Sequence, residues 1–274
     1  MMTAVGAEVV AGDAELTHVG DSFLAGCTEL TFVDLTPLAN LTIVGDSFMS
    51  DCAGLTVLDL TPLAHLTSVG DWFLAGCDEL IELDLSPLVP LTGVRSQFLR
   101  SCAGLSGLDL TSLAHLTVVE HGFLRCTGLT ALDLSPLTNL TSVGDSFLRD
   151  CAGLTALDLV PLSHLHHVGN SFLDGSAGLT AVDLTAFANL TSLGDCFLSG
   201  CVGITQVNVT PLTQLLSVGE WFLSGCTGLT HVDLTPFVQL DRMGECFLAG
   251  CACVSALKLD YCPPVRGPVH SSAT

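Results

Sequence analysis

The stretch TSVGDSFLRDCAGLTALDLVPLSHL, Thr141–Leu165, recurs with small variations along nearly the whole chain. Aligned on the leucine that opens each copy, the units start at Leu16, Leu41, Leu66, Leu91, Leu116, Leu140, Leu165, Leu190, Leu215 and Leu240. The step is 25 residues except once, where EHGFLRCTGL in the fifth unit is one residue short. A period of this length is the mark of a solenoid, in which no unit can bury its apolar face alone and each covers the next.

Within a unit, LTxLDL alternates apolar and polar residues as a half-buried strand does, with Val33 and Leu35 facing inward in the first copy. TPL reads as the start of a 3₁₀ turn with Thr36 as its cap and Pro37 at the first position. GDSFLAG reads as one helical turn capped by Asp21, with Phe23 and Leu24 inside and Gly26 as a left-handed exit. One strand per unit predicts a parallel sheet, and ten strands at ~4.8 Å spacing give a face roughly 43 Å long.

The pattern LTxLDLTPLxxL followed by VGDSFLxGCxxL resembles the leucine-rich repeats of the BspA-like, surface-antigen class, over about residues 16–262. It departs from that class in writing DLTPL where an Ile-Pro pair is usual. Leu38 stands where many leucine-rich repeats keep an asparagine. The resemblance implies an α/β repeat solenoid: a right-handed leucine-rich-repeat superhelix of about ten units, with its parallel sheet on the concave face and short helical turns or loops outside. It also implies protein–protein recognition, with a surface adhesin, possibly cation-dependent, as the alternative setting. Residues 1–15 read as a decayed half-repeat cap whose strand is lost, 16–262 as the solenoid and 263–274 as a flexible tail.

Charge narrows the partners. Seven basic residues face 28 acidic ones, a net charge of −21 that repels nucleic acid and anionic lipid and favours a basic protein or peptide. No run of 18 apolar residues is present, so direct membrane insertion is not expected. The opening MMTAVGAEVVAGDAEL lacks the basic region and apolar stretch of a signal peptide, and RGPVHSSAT lacks an anchor tail. A cytoplasmic location is the expectation, with the cell surface as its alternative; four N-x-S/T sites matter only in the second setting.

Three columns carry the candidate chemistry. The outward strand position holds Asp34, Asp59, Asp84, Asp109, Asp133, Asp158 and Asp183, then Asn208, Asp233 and Lys258. Two residues earlier a variable column is small in its middle, at Gly107, Ala131, Ala156 and Ala181, so the ligand surface is expected over Asp84, Asp109, Asp133, Asp158 and Asp183 with that small floor beside them. The ladder reads either as solvated strand residues relaxed by neighbouring threonines or as a track for a basic ligand or calcium. A secondary basic stripe, Arg100, Arg125 and Arg149 with Arg95 close by, reads as drift or as a homotypic contact with another copy's aspartates. A third column, Cys27 through Cys251 with Ser176 in one place, reads as small, reduced, inward-packed residues. Cys251, Cys253 and Cys262 allow one bridge in an exported protein. Their spacing gives no metal site, no cofactor motif is present, and no nucleophile–base pair argues for an enzyme.

Overall fold

The computed structural model describes residues 7–8, 16–125 and 127–252. Lys258, Cys126, Cys253, Cys262 and the segment 263–274 lie outside them. The described chain winds as a solenoid whose successive turns lie in register. The apolar positions of each repeat form one continuous core: Leu41, Val44, Phe48, Cys52, Leu55, Leu60 and Leu63 of the second turn are all within 1% of full burial, and their equivalents follow through the stack.

The phenylalanine of GDSFL makes the spine of that core. Phe23, Phe48, Phe73, Phe98, Phe123, Phe147, Phe172, Phe197, Phe222 and Phe247 stack ring on ring, with centroids 5.2–6.0 Å apart and planes within 14° of parallel. Phe187 and Phe237, standing where other turns have leucine, meet this stack edge-on. Offset stacking and edge contacts are the favoured aromatic geometries.

Two short parallel ladders run along the solenoid where one was expected. The expected one pairs the LDL segments: Ala181–Asp183 lies against Gln206–Asn208, and isolated bridges join Val57 to Glu82 and Gln206 to His231. Val33 and Leu35 point inward and are buried, as the alternation predicts. The second ladder pairs the SVG segments, for example Val119 with Val143 and Val168, and Leu193 with Val218 and Met243. The predicted unbroken LDL face is not formed. Between Glu82 and Ala181 no ladder pairing occurs among the described residues, and Gly107, Ala131 and Ala156, which have little strand preference, stand there. At the N-terminus, Ala7 and Glu8 pair in parallel with Val33 and Asp34, so this segment supplies a strand and has not lost one.

The GDSFLxG segment is not a helical turn. Ser22, Leu24 and Gly26 have φ of 61°, 54° and 70°, alternating with residues that are not left-handed, and each later turn repeats this. A helix would direct its amides into its own preceding turn, whereas the alternation sends them sideways to adjacent units. Ser22 and Gly26 donate to the carbonyls of Asp46 and Ser50, both at 2.7 Å, and Met49 donates back to Phe23 at 2.8 Å. Each left-handed non-glycine residue costs about 1 kcal/mol or more, which an inter-turn hydrogen bond of about 1 kcal/mol offsets.

Candidate functional site

The aspartates of the LDL column are all exposed among the described residues, as their outward register requires. Each has a structural task. Asp34 Oδ1 accepts the Thr36 amide at 2.9 Å, and Asp59, Asp84, Asp109 and Asp133 accept the equivalent amide at 2.8 Å. Asp158 and Asp183 do so at 2.9 Å. These are Asx turns that cap the following 3₁₀ turn, so the capping residue is the aspartate and not Thr36. The hydroxyl two residues on usually adds a second bond, as Thr111 does to Asp109 at 2.5 Å and Ser135 to Asp133 at 2.8 Å. Val160 has no hydroxyl, so Asp158 keeps the amide alone.

These bonds stabilise the charged carboxylates. The hydroxyl, then the amide, of Thr36, Thr61, Thr111, Thr185 and Thr235 hold Asp34, Asp59, Asp109, Asp183 and Asp233 below the ordinary carboxylate value. For Asp133 the Ser135 amide contributes most. Asn208 fills the same role without charge, accepting the Thr210 amide at 3.1 Å and its hydroxyl at 2.6 Å. The cap therefore needs a side-chain oxygen and not a carboxylate. Gly107, Ala131, Ala156 and Ala181 are exposed, as are Asp109, Asp133, Asp158 and Asp183. Phe32 and Val57, in the same variable column, are 56% and 60% exposed and make its N-terminal end apolar.

The second acidic column works between turns. Asp21 Oδ1 accepts the amide of Asp46 one unit on at 2.9 Å, Asp46 that of Asp71 at 2.8 Å, and Asp195 that of Glu220 at 2.8 Å. Asp21 caps its neighbour's turn and not its own. Such a side chain needs a glycine beneath it: a Cβ on Gly45 would lie 2.4 Å from Asp21 Oδ1. In the fifth unit His121 takes the role, accepting the Asp145 amide on Nδ1 at 2.9 Å.

The arginine stripe is largely spent inside the chain. Arg149 Nε lies 3.3 Å from Asp150 and 3.2 Å from Asp174, and Arg125 reaches Asp150 at 3.5 Å. Burial raises the Asp174 carboxyl, with Arg149 opposing that shift. Arg100 sits over the Trp72 ring at 5.0 Å. Arg95 does not join this stripe; it pairs with Glu120 at 3.1 Å in the SVG column. That pair was missed in the sequence, although its signal was there: opposite charges replace the column's glycine in two consecutive units.

The thiol column does more than fill space. Sγ of Cys52, Cys77, Cys102, Cys201, Cys226 and Cys251 each donates to the carbonyl of the left-handed residue 28 positions earlier, at 2.9–3.3 Å. Ser176 Oγ makes the same bond to Leu148 at 3.0 Å, which explains why serine and not alanine replaces cysteine there. Burial pushes the thiols up, Cys52 to about 11 and Cys102 and Cys201 to about 12. Among the described residues no three His, Cys, Asp or Glu side chains are gathered as a metal ion would require. No helix among them is long and apolar enough to cross a membrane.

The in-register stack of leucine-lined turns defines a leucine-rich repeat solenoid. The family described as BspA type leucine rich repeat region matches residues 8–130, 53–180, 92–230 and 141–260, and the chain belongs to that family. The first of three similar solved structures agrees on the fold. A leucine-rich repeat protein from Bacteroides ovatus is 16% identical with a TM-score of 0.53, over 91% of this chain and 77% of its own. One from Eubacterium ventriosum is 14% identical with a TM-score of 0.48, over 90% and 82%. The functional domain of InlJ from Listeria monocytogenes, which includes a cysteine ladder, is 21% identical with a TM-score of 0.35, over 87% of this chain and 64% of its own. No curated protein matches the sequence.

Proposed function

We propose that the chain is a binding scaffold, not a catalyst, and that its acidic LDL face over Asp84, Asp109, Asp133, Asp158 and Asp183 takes a basic protein or peptide. The observation that carries this reading is Asn208. It makes the same cap as the aspartates without a charge, yet aspartate holds eight of the ten places in the column. Folding alone does not call for that repeated charge, and a row of exposed carboxylates steers and retains a cationic partner. We further place the protein in a reducing compartment, because a thiol column whose hydrogens are used in bonding loses those donors on oxidation.

The test uses a fluorescent octa-arginine peptide. The wild-type chain is expected to bind it with an affinity that falls as salt rises. Asp109, Asp133, Asp158 and Asp183 changed together to Asn should weaken binding about tenfold or more with no loss of melting temperature. Asp46, Asp71, Asp145 and Asp195 changed to Asn remove the same charge elsewhere and serve as the control. Equal weakening by both sets would reject the LDL face as the site.

A further inference from the structure

The threonine at the edge of the SVG ladder normally zips each turn to the one before. Thr42, Thr67 and Thr92 each send amide and hydroxyl to the preceding turn's threonine carbonyl at 2.8–3.2 Å, and Thr141 does the same to Thr117. Among the described residues Thr117 does neither, and Thr191 likewise sends no bond to His166. Among the same residues the amide and hydroxyl of Thr117 have no hydrogen-bond partner, and neither has the Thr92 carbonyl they would reach.

Three departures from the repeat coincide with this opening. Gly93 stands where other turns have Ser68, Ser142, Ser192 and Ser217, and nothing lies within 4 Å of the position its Cβ would take. Arg95 and Glu120 replace the glycines represented by Gly70 and Gly144 and pair at 3.1 Å, with Ser96 Oγ also on Glu120 at 3.1 Å. The result is a cavity of about 320 Å³ lined by Ser68, Thr92, Gly93, Thr117, Arg95 and Glu120, among others. The Ser68 hydroxyl also lacks a partner among the described residues.

We propose that this cavity is a binding site for a small, neutral ligand carrying an amide group. A carbonyl on one turn and an N–H on the next, with no bond between them, present an acceptor and a donor at the cavity from turns spaced by ~4.8 Å. An amide carries the complementary N–H and C=O. Arg95 and Glu120 neutralise each other, so the site has no net charge to select an ion. Their remaining polar atoms and the Ser68 hydroxyl suit ligand hydroxyls or further polar groups. The volume is at the low end of the ~300–1,000 Å³ of small-molecule sites. An acetamido sugar and an amino-acid amide are the two sources of this chemistry. The inference is independent of the acidic-face reading.

The test is amide NMR of the full chain titrated with N-acetylglucosamine, glutamine and glucose. N-acetylglucosamine is expected to shift the Thr117 and Gly93 resonances with a dissociation constant on the order of 1 mM, the scale for about 15 non-hydrogen atoms. Glucose, lacking the amide, should bind about tenfold more weakly. Glutamine binding in place of the sugar keeps the site and assigns the amide to an amino acid. Reversion to the chain's own regular residues, Gly93→Ser with Arg95→Gly and Glu120→Gly, should abolish the shifts while the protein stays folded. Thr117→Val supplies a second variant with the backbone intact, expected to bind several-fold more weakly. Equal binding of glucose, shifts elsewhere, unchanged binding in the reverted chain, or no binding by any probe would each overturn the proposal.

Discussion

Turns eight and nine, Leu190 to Gln239, and turns four and five, Leu91 to Asn139, are built from the same sentence and solve the same problem differently. In the regular pair, glycine lets the aspartate column cross to the next amide, as Asp195 does to Glu220. The thiols of Cys201 and Cys226 reach back 28 residues, and the SVG ladder runs through Ser192, Ser217 and Arg242. In the irregular pair the glycines become Arg95 and Glu120 and an aspartate becomes His121; the step at Thr117 is left open, as is the one at Thr191 where the regular pair begins. The phenylalanine stack passes through both regions, with a spacing of 6.0 Å between Phe98 and Phe123. The core is thus indifferent to the surface columns, and local function can be written into single turns without unstacking them.

The largest effect that sharpens this contrast comes from the spine. Phe73→Ala, in a regular turn, and Phe123→Ala, in the irregular pair, should each cost about 3–5 kcal/mol in urea unfolding. A much smaller cost at Phe123 would mean that the core too loosens where the surface pattern breaks. Next is the thiol column. Cys201→Val leaves the Leu173 carbonyl without its donor and should cost about 1–3 kcal/mol, whereas Cys201→Ser keeps a donor and should cost less.

The same column sets an alkaline limit. Burial pushes Cys52, Cys102 and Cys201 up to about 11–12, above the ordinary value of 9.0, and raises Cys77 as well. The folded state therefore holds its protons more tightly, and its stability is full below about pH 9 and declines as pH rises toward 11–12. The melting temperature is expected to be flat from pH 7 to 8.5 and to fall beyond about pH 9. A smaller effect belongs to the Asx caps: Asp109→Ala should lower the urea midpoint measurably, and Asp109→Asn almost not at all. The smallest is the exposed Arg95–Glu120 pair, whose removal should leave the urea midpoint almost unchanged.

The solenoid, its unit boundaries, the inward leucines and phenylalanines and the outward aspartates were legible in the sequence, because each follows from period and alternation alone. The backbone of GDSFLAG was not. Asp21, Phe23 and Gly26 fit a capped helical turn equally well, and only neighbouring turns decide that its amides point sideways. The capping role of Asp34 was misassigned to Thr36 for a similar reason, since a strand residue's carboxylate reaches forward only once the 3₁₀ turn brings that amide beneath it. The second ladder escaped notice because SVG offers two residues of strand, too short for alternation to register. The cavity by Gly93 was readable only by comparing adjacent units, where Arg95 and Glu120 change together.

The claim that the turns at Thr42, Thr67, Thr92 and Thr141 are zipped by threonine while the one at Thr117 is open is tested most directly by native-state hydrogen exchange, resolved by residue. Thr42, Thr67, Thr92 and Thr141 should be protected, and Thr117 should exchange far faster than any of them. Protection of Thr117 equal to that of its column would contradict the account.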